Sequence, residues 1–167
     1  MYNIGEDDDL IQLTQIPQPD PLRPYPSIFT DGDRLFLAYY LAGEAGSENP
    51  VPISGIDAVA SAALFSFNYT RMHMFGLPND ESLDQHPLSS RGLRGHGAFE
   101  VKNSSWVRRL EKTNKNYRQH APERYDSLRH FIFTFHDNTF ECLAEDYTLS
   151  IETESITNLM QKAADTR

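Results

Sequence analysis

Residues 130–145 read H-F-I-F-T-F-H-D-N-T-F-E-C-L-A-E, and this stretch decides the fold. Side chains alternate along two runs, His130 to His136 and Thr139 to Glu145, as they do along half-buried strands. Asp137-Asn138 separates the runs, and both residues tolerate the positive φ of a two-residue hairpin turn. In that register Phe135 opposes Phe140 and Phe133 opposes Cys142. Phe131, Phe133, Phe135, Phe140, Cys142 and Ala144 then share one apolar face, the expected core. The opposite face pairs His136 with Thr139, Thr134 with Glu141, Ile132 with Leu143 and His130 with Glu145.

Working outward, Tyr147 to Ile151 reads as a further strand. A final helix opens at Thr153 or Glu154, with Ile156, Leu159, Met160 and Ala163 as its apolar stripe. Upstream, Pro122 starts a short helical turn that runs to Leu128. Ser104 or Ser105 is an N-cap for a helix from about Trp106 to Asn116. Trp106, Leu110, Thr113 and Tyr117 lie on one face of it, and Arg108, Arg109, Lys112 and Lys115 mostly on the other. Ala98 to Val101 is a short strand, and Gly76 to Gly97 a long loop. Ala58 to Met74 is a strand candidate, with Ala58 to Ala63 open to a helical reading. Gly43 to Gly55 is a loop, and Arg34 to Leu41 a strand apolar on both faces, hence central. Residues 1–28, with five Pro between Pro17 and Pro26, read as an extended acidic arm that Ile11, Leu13 and Ile16 could anchor.

These elements predict one α+β domain over residues 29–167. An antiparallel sheet carries the Phe-rich hairpin near its centre and two helices packed on one face. A chain of 167 residues suits a single domain with its own core. One cysteine excludes a disulfide framework and a Cys-rich zinc site. The start carries Asp7, Asp8 and Asp9 where a secretory signal carries basic residues, and no apolar run approaches the length of a membrane span. A soluble cytoplasmic protein without membrane contact is the expectation. No nucleotide-binding glycine motif, zinc-protease helix or nucleophile elbow occurs, and no cofactor is expected.

Charge is segregated. Residues 1–85 hold 3 basic and 13 acidic residues, residues 86–130 hold 10 and 4, and residues 131–167 hold 2 and 7, within a net −9. The plainer reading is that the basic block docks on the chain's own acidic segments. The alternative is a positive patch for an anionic partner.

Four places can carry chemistry. On the hairpin's polar face His136 lies one diagonal from Glu141, and His130 faces Glu145; a carboxylate can orient an imidazole as a general base. In the glycine-rich loop Arg91, Arg94, His86 and His96, interleaved with Gly92, Gly95 and Gly97, can bind an anion. Arg108, Arg109, Lys112, Lys115 and Arg118 beside Trp106 and Tyr117 could follow a nucleic-acid strand, the plainer reading being a core Trp106 and a solvated basic face. The six histidines could converge on a metal, but none shows tight ligand spacing, so no metal site is assigned. Cys142 reads as a small buried hydrophobe.

Phe75 to Pro87 (F-G-L-P-N-D-E-S-L-D-Q-H-P) and the stretches F-E-V-K-N-S-S-W and R-H-F-I-F-T-F-H-D-N-T-F-E-C within Phe99 to Cys142 resemble a family of small uncharacterised bacterial proteins. The resemblance implies a bacterial origin and brings no catalytic residue or activity. The leading functional expectation is a non-enzymatic binding or interaction protein whose partner is another protein, as in an acidic inhibitor or immunity-type protein. A small hydrolase or metal-assisted enzyme using His136, Glu141 and His130 is the alternative. A nucleic-acid binder through the basic helix ranks third.

Overall fold

The computed structural model describes residues 2–23, 25–32, 34–42, 55–118 and 120–165. The chain builds two antiparallel sheets packed face to face. One is five-stranded: β1 (Asp9–Gln12), β6 (Gly97–Lys102), β7 (Arg129–Thr134), β8 (Thr139–Ala144) and β5 (Met72–Gly76), in that spatial order. The other is four-stranded: β2 (Ser27–Asp31), β3 (Arg34–Tyr40), β4 (Ala60–Asn68) and β9 (Asp146–Glu154). Helices α1 (Ser105–Asn114) and α3 (Ile156–Asp165) and the short α2 (Glu123–Asp126) complete the described elements, with two 3-10 turns at Asp80–Gln85 and Ser89–Arg91. The α+β class holds, and the Phe-rich hairpin β7–β8 sits at the middle of its sheet.

Alternation along the strands explains the layers. Phe131, Phe133, Phe140 and Cys142 point inward from one sheet, and Leu35, Leu37, Tyr39, Phe65 and Phe67 point inward from the other. The rings interlock: Phe65 meets Phe133 edge-on at 5.0 Å, and Phe67 lies 5.5 Å from Phe140. The Tyr39 hydroxyl, which burial would otherwise strand, donates to the Pro17 carbonyl at 2.7 Å. Cys142 is fully buried here, and burial pushes its thiol far above the ordinary value. Each helix covers a different outer face. Trp106 of α1 packs with Ile132 and Leu143. Ile156 and Leu159 of α3 pack with Ala38, Tyr40 and Ala62. The single sheet and shared helix face of the sequence reading thus resolve into two sheets with one helix outside each.

The hairpin register is displaced by two residues from the expected one. Phe133 opposes Phe140 and Ile132 opposes Glu141, because the loop spans four residues, Phe135 to Asn138, closed by the Phe135 N–H on the Asn138 carbonyl at 2.8 Å. A slide of two keeps every side chain on its face, whereas a slide of one would have reversed them all. It makes His130, rather than His136, the diagonal neighbour of Glu141.

The stretch 58–74 divides into β4 and β5, which belong to different sheets. The chain crosses between them at Tyr69, whose φ of 51° is left-handed. The segment expected as an arm is built into the domain in its described part. β1 edges the five-stranded sheet, Tyr2, Leu13 and Ile16 are buried, and Ile11 is left 41% exposed. Of the loop expected at residues 43–55, all but Gly55 lies outside the described residues. Among the described residues no helix is long and apolar enough to cross a membrane.

Candidate functional site

Two clusters of histidine and carboxylate hang on the β7–β8 hairpin, one inside the domain and one at its surface. The inner one lies on the outer face of the five-stranded sheet, beneath α1 and the 77–96 loop. Glu141 of β8 accepts from three side chains: the Tyr2 hydroxyl at 2.6 Å and His130 Nε2 at 2.9 Å on one oxygen, and His86 Nε2 at 3.1 Å on the other. The Leu88 N–H donates to His86 Nδ1 at 3.1 Å, which leaves the His86 proton on Nε2, facing the carboxylate. His130 Nδ1 meets Ser104 Oγ at 2.9 Å, and Ser104 is the N-cap of α1, accepting from the Trp106 and Val107 N–H groups. Tyr2 stacks on Trp106 with ring centroids 5.2 Å apart, sealing the group from water.

Burial alone would raise the Glu141 carboxyl, but the hydrogen bonds from His130 and His86 outweigh it and hold it at about 2. Burial and the adjacent Glu141 charge raise the Tyr2 hydroxyl well above its ordinary value. Ser104, His130 and Glu141 follow the order of a hydrolytic triad, yet Ser104 is 5% exposed and its oxygen already holds a helix end. Every side-chain nitrogen and oxygen of the five residues has a partner. The arrangement ties the N-terminus, the long loop and α1 to the sheet.

The outer cluster comprises Asp80, His96 and His136, and one ligand atom from each lies within 4.8 Å of the others. Local structure places all three. Asp80 begins the first 3-10 turn, which Asn79 caps by accepting the Ser82 N–H at 3.2 Å, and the Asp80 N–H donates to the His136 carbonyl at 3.0 Å. His96 immediately precedes β6 with a left-handed φ of 56°. Gly97 follows it opposite Thr134, where a Cβ would come within 2.6 Å of the Phe99 ring, so any larger residue would have to displace that ring. Thr134 Oγ1 donates to the Arg94 carbonyl at 2.7 Å and accepts from the Gly97 N–H at 3.0 Å, fastening this strand end to the hairpin tip.

Within the cluster the His136 Nδ1–Asp80 Oδ2 distance is 2.7 Å, and His96 Nε2 lies 3.5 Å from the same oxygen. The hydrogen bond and charge of Asp80 raise His136 above the ordinary histidine value. The His136 hydrogen bond is the largest cause of the fall in Asp80. Asp80 Oδ1 and His96 Nδ1 are buried atoms with no hydrogen-bond partner. Ligands at about 2.0–2.2 Å from a tetrahedral ion stand about 3.4 Å apart, so the observed spacings need only small side-chain rotations to close on one.

The structure separates the residues paired in the sequence reading. His136 partners Asp80, whereas Glu141 and His130 belong to the buried network. Arg91 donates to the Gly5 and Glu6 carbonyls, Arg94 to Gln12, and Arg108 to Asp8 at 3.1 Å. These three hold the chain's own N-terminal segment, as the internal-docking reading expected. Arg109 and Lys112 face outward on α1. Asp80 was not legible as a site residue, and His86 stood among the loop and metal candidates without its partner, because their partners lie 55 or 56 positions away. No family model, no curated protein and no solved structure matches the chain.

Proposed function

We propose that the protein binds a divalent transition-metal ion through Asp80, His96 and His136. The observation that carries this reading is the convergence of one carboxylate and two imidazoles, whose ligand atoms lie within 4.8 Å of one another. Two nitrogens and one oxygen suit zinc or ferrous iron better than calcium or magnesium, which prefer oxygen ligands. His136 is half exposed, with 47% of its side chain accessible, so a three-ligand site here leaves coordination positions facing solvent. A bound ion would supply Lewis acidity or an activated water at those positions. An ion would replace the proton now shared between His136 Nδ1 and Asp80 Oδ2, and the Asp80 N–H on the His136 carbonyl keeps loop and hairpin in step.

The test is calorimetric titration of the metal-stripped chain with Zn2+, and optical titration with Co2+. One ion per chain is expected, with a Kd below about 10 μM, weakened at least tenfold by His96→Ala or His136→Ala. Binding that both variants leave unchanged would end the proposal.

An interaction role through segregated charge is a second reading, favoured by one observation. Arg109, Lys112 and Lys115 have no acidic partner among the described residues, in a chain of net charge −9. A partner would be recognised by an acidic surface, and association should slow steeply with added salt.

A further inference from the structure

At the end of the five-stranded sheet away from the hairpin tip, a cavity of about 380 Å³ opens between the start of β5, the C-terminal half of α1 and the segment leading into α2. The β5–β8 register separates it from the candidate metal centre. Gly76 pairs with Thr139 beside the hairpin loop, and Met72 pairs with Leu143 at the far end, next to Arg71. Leu110 and Asn114, one helical turn apart, put one face of α1 on the cavity, and Tyr117 follows just beyond the end of the helix.

The lining has an unusual chemistry for so acidic a chain. Arg71 and Arg124 both border the cavity, both are exposed, and neither guanidinium has a hydrogen bond or ion pair among the described residues. Among the described residues no carboxylate lines the cavity. The Glu111 carboxylate oxygen lies 3.9 Å from His120 Nε2, beyond hydrogen-bond reach; Glu123 and Asp126 flank Arg124 along α2. His120 is stacked on Tyr125 with ring centroids 5.6 Å apart, and its Nε2 is buried without a hydrogen-bond partner. Tyr117 stands 67% exposed at the rim. The Asn114 amide nitrogen donates to the Leu110 carbonyl, which leaves its oxygen as an acceptor.

Two unpaired guanidiniums recognise a phosphate group, whose oxygens match their donor geometry. Tyrosine and histidine faces recognise a planar aromatic ring, and an amide oxygen can accept from a ring edge. A volume of about 380 Å³ is at the small end of ligand pockets, enough for one nucleotide rather than a longer strand. We propose that this cavity binds a small aromatic phosphate of the nucleoside monophosphate class, with Arg71 and Arg124 on the phosphate and the Tyr117, His120 and Tyr125 rings beside the base.

The test titrates the full chain with the four common ribonucleoside monophosphates, their parent nucleosides, inorganic phosphate and a short mixed oligonucleotide, read by calorimetry and by amide shifts in NMR. At least one monophosphate should bind with a Kd below about 1 mM, and its nucleoside and inorganic phosphate should each bind at least about tenfold more weakly. Shifts should concentrate at residues 110–125 and Arg71. Arg71→Ala and Arg124→Ala should each weaken binding by roughly tenfold with melting unchanged, because both residues are exposed and neither guanidinium is bonded among the described residues. Asp80→Ala should leave it unaltered. The proposal fails if no monophosphate binds, if inorganic phosphate or the nucleoside binds as tightly as the monophosphate, if only the oligonucleotide binds, or if the arginine variants bind normally.

Discussion

Two clusters on one hairpin use the same side-chain types to opposite ends. Glu141 with His130 and His86 is buried, and every polar atom of the group finds a partner, down to the Leu88 and Trp106 N–H groups. Asp80 with His96 and His136 lies partly open to solvent, and two of its atoms remain unpaired. Burial decides the difference. A buried charge persists only when hydrogen bonds replace its water, and those bonds consume its capacity to bind anything else. A partly exposed cluster carries a smaller desolvation cost and keeps lone pairs in reserve.

The comparison breaks most sharply at Glu141. Glu141→Ala leaves His86, His130 and Tyr2 without their acceptor in an apolar setting, and a loss of about 3–5 kcal/mol is expected in urea denaturation. Zn2+ binding at Asp80, measured on the fraction that stays folded, should survive. If the variant melts like the parent, the inner cluster is not structural.

Acid should discriminate the two clusters next. The Glu141 carboxyl is held at about 2 against an ordinary 4.5, so the charged form is the one that folding favours. Its contribution is complete above pH 4.5 and disappears as pH falls toward 2, a loss of roughly 3 kcal/mol. Stability curves for the parent and Glu141→Gln, measured from pH 6 down to the acid limit, should converge across that window. Parallel curves would contradict the assignment.

A smaller effect isolates one bond. Tyr2→Phe removes the 2.6 Å hydrogen bond to Glu141 and keeps the stack on Trp106. A loss of about 1–3 kcal/mol is expected, since the acceptor is charged. Loss of protection from amide exchange at residues 2–13 would show the N-terminal segment loosening first.

The outer cluster should give the least stability effect. His96→Ala and His136→Ala should move Tm by no more than about 2 °C without metal, while removing the rise in Tm that Zn2+ gives the parent. A large destabilisation without metal would make the outer cluster structural too.

The alternation of Phe131, Phe133 and Phe135 against Thr134 and His136 was legible without coordinates, and so was an N-cap at Ser104 or Ser105, of which the structure uses Ser104. Both are local: strand period and helix-end chemistry depend on neighbours a few positions away. The hairpin register was not legible. Asp137-Asn138 permits a two-residue turn, but closure through Phe135 and Asn138 satisfies both strands and keeps both faces, so pattern alone could not choose. That slide of two moved Glu141 from His136 to His130.

By itself, then, the order of residues determined the faces of the strands, the amphipathic stripes of α1 and α3, the α+β class and the segregation of charge. All of these follow from periodicity and composition. Only the tertiary structure decided that two sheets share the Phe core, that Arg91, Arg94 and Arg108 are used to hold the N-terminal segment, and which histidine meets which carboxylate. Three of these pairings join residues 55, 56 and 82 positions apart, His86 with Glu141, Asp80 with His136 and Arg94 with Gln12, whereas His130 and Glu141, 11 apart, depend on the hairpin register. Closing the long loops costs entropy that only the whole core recovers, so no short stretch of sequence holds the information for the distant pairs.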